Sequence, residues 1–189
     1  KIAFEVSRYE NEEGDISREV ERYDPREQSG NRWQLILIDG ETPNDKQKKK
    51  YRKKREKLKQ DKQSISIRLS ELFQLNTFKL LAENESEFTA QFTVNTKPLG
   101  LDAPDKLVGQ LKYSRSNNYI SEITITNIAP FSPLFSAEIE HLDVTLEFSL
   151  VNNFVVLHKE ELVMKGTFAF FTDIDEVSIA QYSDYQLVL

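Results

Sequence analysis

The sequence predicts a mainly β fold with some helix (α+β): about ten antiparallel strands in one continuous or strongly curved sheet, with a few covering helices. Three observations carry this expectation. In "HLDVTLEFSL", Leu142, Val144, Leu146, Phe148 and Leu150 alternate with His141, Asp143, Thr145, Glu147 and Ser149, the two-residue period of a strand with one buried and one wet face. The same period recurs in several other stretches, separated by turn residues. The one strongly helical segment is too polar to form a core. With 189 residues and 39% hydrophobic content, the chain suits a single domain spanning 1–189.

Taken in order, strands are expected at Ile2 to Ser7, Ile16 to Tyr23 and Trp33 to Asp39, with Gly14, Asp24, Pro25, Ser29 and Gly30 turning the chain between them. "TPND" then opens a helix over about residues 43–62, with Thr42 as cap, Pro43 in the first turn and Asp45 completing a capping box. Only Tyr51 and Leu58 break its charge, so a surface helix held by two apolar anchors is expected. A shorter helix is expected over "SELFQL", capped by Ser70. Beyond Thr77 the period is two. Phe88, Ala90, Phe92 and Val94 share one face, as do Leu107, Leu111 and Tyr113, and Ile123 with Ile125. Further strands follow at Phe154 to His158, Leu162 to Phe171 and Glu176 to Tyr185. So many strands in one sheet curl, and the aligned apolar residues would line a concavity that is either self-filled or open to a greasy ligand.

Charge is unevenly placed. Residues 46–62 hold eleven cations against two carboxylates, a net +9 in a chain of net charge −6, so the other 172 residues carry −15. Three readings fit this helix: a solvated rim of the sheet, a contact for anionic lipid headgroups or an acidic protein through Lys48, Lys49, Lys50, Lys53, Lys54 and Arg55, and a nucleic-acid patch. The last is disfavoured, because Tyr51 alone offers a stacking surface and the acidic remainder repels a polyanion. No nucleic-acid partner is expected.

Catalytic signatures are weak. His141 and Asp143 point the same way from one strand, but on its polar face and without a nucleophile elbow. His158 with Glu160 and Glu161 is a poor start for a metal site. The absence of cysteine excludes disulfides, thiolate catalysis and cysteine-ligated metals. Neither a catalytic residue, a metal nor a cofactor is expected. "APFSPLF" is too greasy for an ordinary turn and its two prolines oppose regular pairing. It reads either as an apolar plug or as a cavity lip made by Phe131, Leu134 and Phe135.

The stretches "RYDPREQSGNRWQLILIDGETP" (22–43), "ISEITITNIAPFSPLFSAEIEHLDVTLEFSLV" (120–151) and "YSDYQ" (182–186) resemble the periplasmic lipoprotein-carrier superfamily of LolA/LolB-like fold, in particular LolA-like proteins of Gram-negative bacteria. That resemblance implies an antiparallel half-barrel with helices across its open side and an apolar cavity for acyl chains. It also implies an exported protein, periplasmic after loss of a leader, in the setting of outer-membrane biogenesis. The expected role is that of a non-enzymatic, monomeric carrier of a lipid or acylated protein. Trp33, Leu35, Phe92, Ile125, Leu146, Phe148 and Phe168 are its expected lining. The alternative is an interaction protein with a self-filled core that docks a partner through the basic helix.

Overall fold

The fold is that of a computed structural model, described for residues 1–60, 69–97, 105–134, 136–169 and 172–188. Eleven strands join one antiparallel sheet that stays open and fits a curved half-barrel. They are β1 (Ile2–Glu12), β2 (Asp15–Tyr23), β3 (Trp33–Ile38), β4 (Lys79–Glu83), β5 (Glu87–Thr93), β6 (Leu107–Ser114), β7 (Tyr119–Asn127), β8 (Phe131–Leu134), β9 (Ala137–Val151), β10 (Phe154–Phe168) and β11 (Thr172–Leu187). The spatial order is β3-β2-β1-β11-β10-β9-β7-β6-β5-β4, with β8 paired to β9 outside this path. Pairing of β1 with β11 sets Ile2 opposite Leu187 and so brings the two chain ends together.

Tight turns set the register. Glu13 with Gly14, Asp39 with Gly40, and Asn152 with Asn153 all have positive φ and form two-residue connections, between Glu12 and Asp15, Ile38 and Glu41, and Val151 and Phe154. Positive φ at both central residues matches the right-handed twist of hairpin strands. Following the Cα pairing across the sheet places Tyr23, Glu21, Val6, Ala180, Leu162, Val144, Ile125, Gly109 and Phe92 on one face. All seven expected lining residues, from Trp33 to Phe168, fall on that same face.

One end of this face is closed by the chain's own side chains. Phe92, Leu107, Ile123 and Val94 are each 1% exposed and pack with Leu72, Phe131 and Ile139. Phe78 stacks on Phe92 and Phe73 meets it edge to face, and the Phe92 ring fills the space beside its cross-strand partner Gly109. Phe92 and Ile125 therefore belong to a filled core and not to an open lining, a correction to the sequence expectation.

Several boundaries differ from expectation for identifiable reasons. The helix α1 runs Asp45–Gln60. Its cap is a reciprocal pair in which the Gln47 amide donates to Asn44 Oδ1 at 3.0 Å and the Asn44 amide donates to Gln47 Oε1 at 2.8 Å, so Asn44, not Thr42, is the cap and Pro43 precedes the helix. Residues 61–62 of the expected helix lie outside the described residues. "SELFQL" forms two 3₁₀ turns, Leu69–Glu71 and Leu75–Thr77, instead of one helix. The expected break between His158 and Leu162 is a register shift inside one long strand, and Phe131–Leu134 pairs with β9 despite Pro133, which is tolerated because β8 is a side strand. β4, which the alternation did not reveal, forms one outer edge with all five residues exposed.

Candidate functional site

Lys48, Tyr51, Arg52 and Arg55 form one stripe of the basic helix at i, i+3, i+4 and i+7, and the helix meets the sheet through Tyr51 and Arg55. Tyr51 is buried, at 6% exposure. Arg55 turns inward, with its guanidinium 4.1 Å from the centre of the Trp33 ring, and donates at 2.5 Å to Glu21 and at 3.1 Å to the Tyr51 hydroxyl. Arg8 of β1 donates to the same Glu21 carboxylate at 2.9 Å. Two arginines thus clamp one acid that is only 2% exposed, and the clamp joins β1, β2 and α1. Arg55 is accordingly an anchor, not one of the surface contacts that sequence grouped with Lys48, Lys49, Lys50, Lys53 and Lys54. Those five lysines are exposed, as is Arg52.

Electrostatics follow from this arrangement. Burial opposes ionisation of Glu21, but the hydrogen bond from Arg8 and the charges of Arg55 and Arg8 outweigh it and hold its carboxyl below the usual glutamate value. Its neighbour Glu19 is pushed up, chiefly by burial. Burial also raises the Tyr51 and Tyr182 hydroxyls and pushes Tyr185 up to about 12.

Between α1 and β3 lies an open cleft of about 500 Å³. Trp33, Leu35, Ile36, Pro43 and Tyr51 supply its apolar surface, Lys48 and Arg52 its cations, and Glu27 a carboxylate. Trp33 is packed from behind by Phe4 and Tyr23, at 5.6 and 5.1 Å between ring centres. Phe4 in turn meets Tyr182 and Tyr185, so the β3 end of the face is aromatic and rigid.

Between this aromatic end and the filled end lies a third region. On β9 and β10, Leu142, Val144, Leu146, Phe148 and Met164 pack against the filled core while staying half-buried, and Leu162 is half-buried beside them on the same face. Phe168 is 46% exposed at the end of β10. The expected lining is thus divided: Trp33 and Leu35 belong to the cleft, Leu146 and Phe148 to the central stripe, Phe92 and Ile125 to the core. Phe131 is 3% exposed and is a core plug instead of a lip, while the Leu134 side chain and Phe135 lie outside the described residues.

His141 and Asp143 pair at 2.9 Å on the opposite face, each about half exposed, and His158 is exposed at the register shift of β10. Sequence reasoning missed Glu21 and Arg8 and gave Arg55 a surface role, whereas these three groups fasten the helix. The signal available for Arg55 was its i+4 spacing from Tyr51, which places both on one helical face. Compared with known proteins, the chain matches no family model, no curated protein and no solved structure, so its function rests on what this face and this cleft can bind.

Proposed function

We propose that the chain is a non-enzymatic binding protein that carries a lipid or an acylated protein on the apolar face of its sheet, in the periplasmic setting that the carrier-like sequence stretches imply. The observation that supports this reading is the central stripe: six apolar side chains of β9 and β10 on the core face that stay half-buried although five of them pack against the core, in a sheet that is open. Acyl methylenes laid on such a stripe contribute about 0.8 kcal/mol each. The exposed lysines of α1 add an orienting contact with an anionic membrane surface or an acidic partner.

The test is native mass spectrometry of the gently purified protein with organic extraction of any adduct, repeated for Leu146→Asp. A stoichiometric lipid that is lost in the variant is the expected result. A bare apoprotein mass that gains nothing from fatty acids or phospholipids would overturn it. The filled end around Phe92, Leu107 and Ile123 favours a second reading, a protein whose core is complete and whose basic helix docks an acidic partner. A bare mass would point there.

A further inference from the structure

We infer that the cleft between α1 and β3 is a second ligand site, built for a single-chain amphiphile with a carboxylate head. It is separate from the central stripe. In the sheet order, β3 stands five strands from β9, about 24 Å at the usual spacing between neighbouring strands.

Charge selects the head. Lys48 and Arg52 stand one helical turn apart on the cleft-facing stripe of α1 and neither has an ion-pair partner among the described residues. The Arg52 guanidinium presents a planar fork suited to a carboxylate, and Lys48 a compact charge beside it. Glu27 lines the same cleft. Two cations and one carboxylate leave one net positive charge, which matches a monoanion better than a phosphate dianion.

Shape selects the tail. Trp33, Leu35 and Pro43 supply apolar lining beside the polar Asn31, Gln34 and Thr42, and the Trp33 ring is held by contacts with Arg55, Tyr23 and Phe4, so little side-chain freedom is lost on binding. At roughly 30 Å³ per water-sized group, a cleft of about 500 Å³ takes about 16 non-hydrogen atoms. That is the size of one acyl chain with its head.

Trp33 is the sole tryptophan of the chain, so the cleft carries its own reporter. Dodecanoate titrated into the intact protein should give a saturable change in tryptophan emission, and uncharged dodecanol should need at least tenfold more ligand. The Lys48→Gln/Arg52→Gln double variant, whose exposed positions leave the fold intact by circular dichroism, should lose that preference and bind dodecanoate at least tenfold more weakly. Leu146→Asp, on the central stripe, should respond like the parent. No saturable response, equal responses to dodecanoate and dodecanol, an unaffected double variant, or a response abolished by Leu146→Asp would each overturn the assignment. A lipid adduct seen by mass spectrometry alongside a silent Trp33 would leave the carrier reading standing and remove the cleft.

Discussion

Replacing Glu21 by Gln keeps the side-chain shape and removes the charge that two arginines share. Removing one partner of a buried ion pair costs about 3–5 kcal/mol. Arg8 and Arg55 keep 26% and 23% of their side-chain surface exposed, so water reaches both, and screening lowers the expected cost to about 2–3 kcal/mol. In a domain of 189 residues each kcal/mol shifts the melting temperature by about 2–4 °C, which puts the Glu21→Gln variant about 4–12 °C below the parent at neutral pH. Thermal unfolding followed by circular dichroism measures this. Trp33 emission reports separately on whether Arg55 has left the indole. The pH dependence has a definite sign. Because the folded carboxyl titrates below the ordinary glutamate value, its stabilisation is complete above that value and fades as pH falls through the folded pKa. The gap between parent and variant should therefore close in acid, below about pH 4. An unchanged melting temperature, or a gap that persisted undiminished at low pH, would refute the clamp.

Changing Lys48, Lys49, Lys50, Lys53 and Lys54 together to Gln, a residue of similar helix propensity, should weaken binding to anionic vesicles by roughly 5,000-fold at about 1 kcal/mol per lysine; equal binding in a co-sedimentation assay would end the membrane-orientation role. Gly109→Ala forces a methyl group into the Phe92 ring and should cost about 1–3 kcal/mol by urea denaturation, with part of the loss restored by adding Phe92→Leu; additive effects of the two changes would contradict their contact. Tyr185 donates to the Leu157 carbonyl and is pushed up to about 12. Tyr185→Phe should therefore remove tyrosinate absorbance only from the most alkaline limb of the titration, and a loss at lower pH would refute its burial.

Much of the sheet was legible because its longest alternations obey a simple rule. Leu142 to Leu150 alternate without error, and the register puts them where the period says. The rule fails where a bulge adds a residue. The shift beside His158 reverses the sense of alternation and makes one strand, β10, read as two. It fails again on β2, where Ile16 and Val20 look like the inward set, yet Glu21 is the buried one. Only the presence of Arg8 and Arg55 makes that face habitable for a carboxylate, and neither is a neighbour of Glu21 in sequence. β4 has no alternation to read, since "KLLAE" is an outer strand paired to β5 and all of it is exposed. The basic helix was legible from composition, whereas its cap was misplaced by two residues, because Thr42 and Asn44 are both competent caps and only the reciprocal bonds with Gln47 distinguish them. The site was half legible: residue types and faces were there to read, but which apolar residues the chain buries for itself depends on Leu72 and Phe131, which approach from outside the alternating strands.

The two edges of the sheet are unequal. The β3 end carries the basic helix on its face, with like charges that repel a second helix of the same kind. The β4 end has no such helix among the described residues, and Leu80 and Leu81 are 57% and 49% exposed. Strand addition is therefore less opposed by charge at β4 than at β3. Two chains meeting β4 to β4 about a two-fold axis would set Lys79 of each opposite Glu83 of the other, and the pair would then offer only its helix-bearing ends. Charge on the helix-bearing ends then disfavours further addition, so the asymmetry of the two edges favours a pair over a fibre.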